Sequence, residues 1–344
     1  MSDGATPPEP HRRRPRYAGK YPRRFEQKYK ELAPEKYPET VAKVIASGKT
    51  PAGAHLPIMV DEILEALAPA PGNVFVDCTL GYGGHAGAIL PRLQPGGRLI
   101  GLDVDPLEQP RTEQRLRARG FDEATFAVRR SNFAGLPRVI AAEGLAGVDG
   151  ILADLGLSSM QIDAPARGFS FKVPGPLDMR MNPGKGLPAS ALLARMSPGA
   201  LAECLTENAD EPRATQLAER LAGGNFALTT ELAAAIRQTL PAISEDERER
   251  TVRRVFQALR IAVNEEFTAL DTLLRHLPEC LNPGGRVAIL TFHSGEDRRV
   301  KKAFQAALRD GRFSRISENV ERPSAEECRA NPRATSAKLR WAIR

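Results

Sequence analysis

The sequence predicts an α/β fold, a Rossmann-like parallel sheet interrupted by an all-helical insertion. Three observations predict it. Short apolar runs end in an acid at Val74-Phe-Val-Asp77, Leu99-Ile-Gly-Leu-Asp103 and Val148-Asp-Gly-Ile-Leu-Ala-Asp154. Helix-like segments separate these runs, as crossovers between parallel strands require. Between residues 163 and 250 the alternation stops and capped helical segments replace it, before it resumes towards Phe292-His293.

Taken in order, His55 to Leu67 reads as an amphipathic helix with an apolar stripe of Ile58, Ile63, Leu64 and Leu67. The strand ending at Asp77 leads through Gly81-Tyr-Gly83-Gly84-His85 into a helix over Ala86–Leu93. After Asp103, the dipeptide Asp105-Pro106 opens a charged helix to about Arg119. Phe126 to Arg130 is a short strand leading to Ser131-Asn-Phe133, and a helix covers roughly 134–143. In the insertion, Ser197-Pro198 supplies an N-cap and first turn, Thr230-Glu231 opens another helix, and Ser244-x-x-Glu247 is a capping box. One long helix is expected over 248–278, carrying Val252, Val255, Phe256, Leu259 and Leu270 on its apolar face. Pro283 to Phe292 is the next strand.

Strand ends of an open parallel sheet converge on one crevice, so Asp77, Asp103, Asp154 and Phe292-His293 are expected around a single ligand. The glycine turn lets backbone approach that ligand, and Asp103, about 20 residues on, can bind a ribose diol. Gly81-x-Gly83-x-x-Ala86 also satisfies a dinucleotide fingerprint. Asp77 favours the other chemistry, because a carboxylate beside the turn repels a pyrophosphate but attracts the ammonium and sulfonium of S-adenosylmethionine. On these residues a methyltransferase leads, a nicotinamide-dependent dehydrogenase stays open, and so does a turn that merely rounds a strand-to-helix corner.

Composition narrows the class. The 344 residues are 42% hydrophobic and 26% charged, enough for a sizeable core. No apolar run approaches the ~20 residues of a bilayer span, and no apolar leader core is seen near the start, so a cytoplasmic protein without membrane contact is expected. Cys78, Cys204, Cys280 and Cys328 form no CxxC pair, which argues against a zinc site and for a reducing compartment; no metal is expected. Residues 1–54 hold 12 of the 49 Lys and Arg and 6 of the 42 Asp and Glu, and so nearly all of the net charge of +7. Tyr17, Tyr21, Tyr29 and Tyr37 are interleaved there with basic residues, a pattern suited to RNA and equally to a solvated tail.

Several longer motifs carry a resemblance. They are Asp149-Gly-Ile-Leu-Ala-Asp-Leu-Gly-Leu-Ser-Ser-Met-Gln161-Ile-Asp163, Arg167-Gly-Phe-Ser-Phe171 and Gly175-Pro-Leu-Asp-Met-Arg-Met181, with Arg260-Ile-Ala-Val-Asn264, Thr291-Phe-His-Ser-Gly-Glu-Asp297 and the stretch Asn331 to Arg340. With the Gly81–His85 turn they closely resemble the bacterial small-subunit ribosomal RNA cytosine-N4 methyltransferase family over about residues 54–344. The resemblance implies a Rossmann-like S-adenosylmethionine-dependent methyltransferase domain with an inserted helical domain. It implies Gly83, Gly84 and His85 around the methionine end of the cofactor, Asp103 on the ribose, Phe133 beside the adenine, and Asp154 and Gln161 completing the site. Met160, Thr291 and Gly295 stand where the family pattern has proline, serine and leucine; none of these changes removes a charged or polar cofactor contact.

The resulting expectation is a basic extension over 1–54, a methyltransferase domain over 55–162 and 251–344, and an RNA-facing helical insertion over 163–250. Asp154, Ser158 and His293 are the candidate catalytic residues, since amino-methylating enzymes place an acid or amide where Asp154-Leu-Gly-Leu-Ser158 falls. The expected partner is small-subunit ribosomal RNA within a subunit or its precursor, and a homodimer is left open. The rival from another class is an RNA-binding assembly factor with a vestigial cleft.

Overall fold

The computed structural model describes residues 57–344. The extension over 1–54, with its tyrosines and its expected RNA contact, and the first two residues of the expected helix at His55 lie outside the described residues. Within them, β1 (Val74–Asp77), β2 (Arg98–Asp103), β3 (Phe126–Arg130), β4 (Val148–Asp154), β5 (Leu281–Thr291), β6 (Arg315–Ile316) and β7 (Lys338–Ile343) form one sheet of order β3-β2-β1-β4-β5-β7-β6. The first five strands are parallel, while β7 runs antiparallel to both β5 and β6. The chain moves outward from β1 to β3 and then returns to the other side of β1 as β4. This reversal opens a crevice at the carboxyl ends of β1 and β4, where ligands of such sheets bind.

The apolar runs are continuous because both faces of the sheet are covered. Successive side chains point to opposite faces. Val76, Ile151, Ala153, Val287 and Ile289 therefore pack on one face, under α4 (Leu136–Ala142), α11 (Glu266–Cys280) and α12 (Ser294–Arg309). Their neighbours Phe75, Leu152, Ala288 and Leu290 pack on the other, under α1 (Val60–Leu67), α2 (Gly84–Leu93) and α3 (Gln109–Ala118). Gly150 in β4 has no side chain because the Phe75 ring lies over it; a Cβ there would fall 2.4 Å from the ring carbons.

A third core is separate from these. Leu177, Leu193, Leu201, Leu205, Leu217, Leu232 and Ile236 pack against Val252, Val255 and Leu259. All but Leu177, which precedes them, come from α6 (Ala189–Arg195), α7 (Pro198–Ala209), α8 (Ala214–Leu221), α9 (Thr229–Thr239) and α10 (Glu245–Asn264). Ser197 caps α7 as its position beside Pro198 predicts, accepting from the Ala200 N–H. Ser244 caps α10 the same way, but Glu247 pairs with Arg213 and Arg254 instead of turning back to close the box.

Three expected helices are corrected. The single helix over 248–278 is two, α10 and α11, broken at Glu265, whose φ of 51° is left-handed. The break follows from tertiary bonds on either side of it. Asn264 donates to the Met179 carbonyl and accepts from the Met181 N–H, and Arg260 and Glu266 pair across the corner. The helix expected to open at Asp105 begins at Gln109: Asp105 Oδ1 accepts from the Leu107 N–H in a turn over 106–108, while Oδ2 is taken by Arg167 and Gln161. α1 likewise starts at Val60, after Pro57 and a left-handed Met59, and not at His55.

Gly150→Ala tests the fit of β4 against β1. Overpacking the fully buried Phe75 is expected to cost about 1–3 kcal/mol of unfolding free energy, read from denaturant melts. An unchanged midpoint would show that the ring can move aside.

Candidate active site

A cavity of about 450 Å³ opens at the carboxyl ends of β1, β2 and β4. Gly83, Gly84, His85, Asp103, Phe133, Asp154, Ser158 and Gln161 all line it. Asp77 lies beneath it, and His293 stands behind the wall at Phe292 and Glu296.

The turn is held by its backbone geometry. Gly81 and Gly83 have φ of 46° and 77°, in the left-handed region, and a Cβ on Gly83 would fall 2.7 Å from the Thr112 methyl. The Gly81 N–H donates to Asp103 Oδ2 at 2.8 Å, and Thr112 Oγ1 donates to the Gly81 carbonyl at 2.5 Å. Asp103 also accepts from the Asp105 N–H at 2.8 Å. Burial raises the Asp103 pKa above the carboxylate norm, against these backbone donors. Each oxygen already holds one hydrogen bond and keeps a lone pair for a ligand hydroxyl.

Asp77 is 2% exposed and accepts from the Thr79 N–H at 3.0 Å. Burial pushes its pKa from an ordinary 3.8 to about 6; His85 and the Thr79 amide oppose the rise, while Asp154 and Asp103 add to it. Thr79 links the two strand ends, since its hydroxyl accepts from the Asp154 N–H at 2.7 Å. The Asp154 carboxylate is partly exposed to the cavity and lies 3.4 Å from His85 Nε2.

Ser158 and Gln161 are already engaged with the protein. Ser158 Oγ caps α5 (Ser159–Asp163) by accepting from the Gln161 N–H, and Gln161 Oε1 accepts from the Ser158 N–H. Gln161 Nε2 donates to Asp105 Oδ2 at 2.9 Å. Asp105, 1% exposed, is also paired with Arg167 at 2.7 Å, and Arg167 Nη2 reaches the Arg180 and Met181 carbonyls. These bonds make Gln161 a brace for Asp105 and for Met181 above the cavity.

The far wall carries residues to which sequence reasoning assigned no role. Arg260 binds both Glu266 oxygens at 2.8 and 2.9 Å. Glu296 is buried; burial alone would raise its pKa, but His293, Arg260 and the Phe292 N–H together hold it below the carboxylate norm. His293 Nε2 stands 3.0 Å from Glu296 Oε1, and its ring packs 5.7 Å from Phe267. Gly295 makes room for that ring, since a Cβ would fall 2.7 Å from Phe267 Cζ. His293 therefore sets the charge of Glu296 from behind the wall.

The lining is rich in acceptors. Asp103, Asp105, Glu108, Asp154, Glu266 and Glu296 outnumber Arg260 and Arg333, and Glu108 Oε2 is buried with no hydrogen-bond partner among the described residues. Such a wall suits a ligand bringing hydroxyls, amines and positive charge, as S-adenosylmethionine does, and opposes a pyrophosphate. Among the described residues there is no cluster of three or more His, Cys, Asp or Glu able to hold a metal ion. Residues 52–344 match the model of the MraW methylase family.

The chain belongs to the MraW methylase family. It is similar to "Ribosomal RNA small subunit methyltransferase H 1" of Agathobacter rectalis, with 49% identity over 97% of this chain and 98% of that protein. "Ribosomal RNA small subunit methyltransferase H 2" of Alkaliphilus metalliredigens is 48% identical over 98% of each chain. "Ribosomal RNA small subunit methyltransferase H" of Thioalkalivibrio sulfidiphilus is 40% identical over 87% of this chain and 99% of that protein. The family match begins at residue 52, yet the first two relatives leave only 3% and 2% of the 344 residues uncovered. The basic extension is therefore shared with them in large part. This methyltransferase uses S-adenosylmethionine, and its acceptor-rich cleft fits that cofactor.

Asp103→Ala is expected to weaken S-adenosylmethionine binding by about 1.5–3 kcal/mol per hydrogen bond lost, measured by calorimetry. Affinity within twofold of wild type in a folded protein would remove Asp103 from the ribose site.

The Asp77 pKa sets a pH dependence. The folded value of about 6 lies above the ordinary 3.8, so the folded chain retains a proton that the unfolded chain loses between these values. Stability therefore falls as pH rises through about 4–6 and is flat above. Between pH 5 and 7.5, Asp77→Asn should lose roughly 1–2 kcal/mol less unfolding free energy than wild type. Parallel pH profiles for the two proteins would contradict the raised pKa.

Proposed function

We propose that this enzyme transfers a methyl group from S-adenosylmethionine to the exocyclic N4 amine of a cytidine in small-subunit ribosomal RNA. The observation that carries the reading is the acceptor-lined cavity at the carboxyl ends of β1, β2 and β4, in a chain of this family. The cofactor, when bound, supplies an electrophilic methyl group on a sulfonium. Gly83, Gly84 and His85 would hold its methionine end, Asp103 its ribose, and Phe133 its adenine. Asp154, beside the turn and open to the cavity, either pairs with the cofactor's ammonium or accepts from the target amine.

Cytosine N4 is a weak nucleophile because its lone pair is delocalised into the ring. Acceptors on its hydrogens orient it and favour positive charge developing on nitrogen. Placing amine and methyl group in line supplies much of the rest, since positioning is worth up to about 7–11 kcal/mol. A base in a duplex cannot reach a cavity at strand ends, so the target is taken out of its stack. The helical insertion over 163–250 and the basic extension are the RNA-facing parts in this reading, the latter supported by its presence in the relatives and by its tyrosines among basic residues. The substrate is the RNA within a small subunit or its precursor, in the cytoplasm.

Mass spectrometry of ribosomal RNA nucleosides tests this. N4-methylated cytidine should be present in cells that carry the gene, and absent without it or with Asp154→Ala. Equal levels in all three strains would refute the reading.

A further inference from the structure

Arg260 is held in an unusual way for a cavity-lining cation. Its Nε and Nη2 are both taken by Glu266, in the fork geometry that fixes a guanidinium plane. Its Nη1 has no protein partner among the described residues, and the residue lines the cavity. Asn264 donates to the Arg260 carbonyl, and the buried Glu296 adds its negative charge nearby. The side chain is only 16% exposed, so its charge is largely desolvated, and the cavity it lines is where a ligand can offer Nη1 a partner.

The walls around it suit a flat ring. Phe292, Phe267, Leu155 and Gly156 line the same cavity, and Gly156, with φ of 101°, leaves open the space its side chain would take towards Phe292. A buried, oriented donor in such a slot requires an acceptor, because an unpaired charged donor is costly. Of the two bases with an exocyclic amine across from a ring acceptor, cytosine carries a carbonyl oxygen, O2, next along its edge, whereas adenine carries a C–H. A donor aimed at that position accepts the first and rejects the second.

We propose that Arg260 reads the target base, donating from Nη1 to cytosine O2 while N4 faces Asp154. Glu266 is its positioning residue, fixing the guanidinium so that one amino group remains for the base. The inference rests on the cytosine-N4 reading above and adds a specificity determinant to it. A site built to hydrogen-bond one substrate group discriminates strongly against an analogue that lacks it.

The experiment uses the full chain with small-subunit RNA carrying either cytidine or 2-thiocytidine at the target, sulfur being a poor acceptor. Wild type should lose roughly 10–100-fold in kcat/KM on the thio substrate. Arg260→Gln and Arg260→Lys should be reduced by a similar factor on cytidine and lose less than about twofold more on 2-thiocytidine. Both should bind S-adenosylmethionine within about twofold of wild type, which also reports that they fold. A wild-type enzyme indifferent to the thio substitution would overturn the proposal whatever the variants do. So would variants as thio-sensitive as wild type, or a loss of cofactor affinity that placed Arg260 in the cofactor site. A wild-type enzyme that forms no N4-methylcytidine on ordinary RNA would instead sink the underlying reading, and this inference with it.

Discussion

The buried pair between Asp105 and Arg167 is the interaction on which the arrangement of the cleft depends. Asp105 follows the strand-end acid Asp103 and is almost wholly enclosed. It receives Arg167 at 2.7 Å, Gln161 at 2.9 Å and the Leu107 N–H at 2.9 Å. Arg167 in turn grips the carbonyls of Arg180 and Met181, in the segment before α6. Removing one partner of such a pair leaves an uncompensated buried charge, which typically costs 3–5 kcal/mol. The pair thus ties the loop after β2 to the segment that leads into α6.

A second tie reaches the same segment from the opposite side. Asn264, the last residue of α10, holds Met179 and Met181 with its side-chain amide. That commitment coincides with the break at Glu265 and brings Arg260 and Glu266 together at the cavity wall. One short strap, Met179 to Met181, is therefore clamped from the β2 end by Arg167 and from α10 by Asn264. The left-handed φ of 63° at Met179 is the local strain these bonds offset.

The electrostatics of the cleft follow from its position. Strand ends bring Asp77, Asp103 and Asp154 within reach of one another, and burial makes their mutual repulsion felt. Burial is the main cause of the raised pKa at Asp77 and Asp103, and neighbouring carboxylates add to it, Asp154 and Asp103 at Asp77 and Asp105 at Asp103. On the far wall a carboxylate shifts the other way, because His293, Arg260 and the Phe292 N–H hold the Glu296 pKa below the carboxylate norm. The two walls differ in composition: Asp103 and Asp154 at the strand ends, and Arg260 paired with Glu266 on the other side.

The strands and their acids were legible in the sequence because they depend on local pattern. β3 and β4 fall at the expected residues, and Gly83, Asp103, Phe133 and Asp154 meet at one cavity because strand ends of a parallel sheet must converge. Ser197 and Ser244 marked helix starts for the same local reason, a side-chain oxygen meeting an orphan N–H. Only the tertiary structure decided the break at Glu265, the late start of α3 and the braced role of Gln161. Each depends on a bond to a residue far along the chain: Asn264 to Met179, Asp105 to Arg167, and Gln161 to Asp105. Periodicity sees which face of a helix is apolar but not which polar group across the fold will claim its end. For that reason the Arg260–Glu266 fork, six residues apart across a corner that reads as continuous helix, could be quoted from the sequence as a motif and understood only in three dimensions.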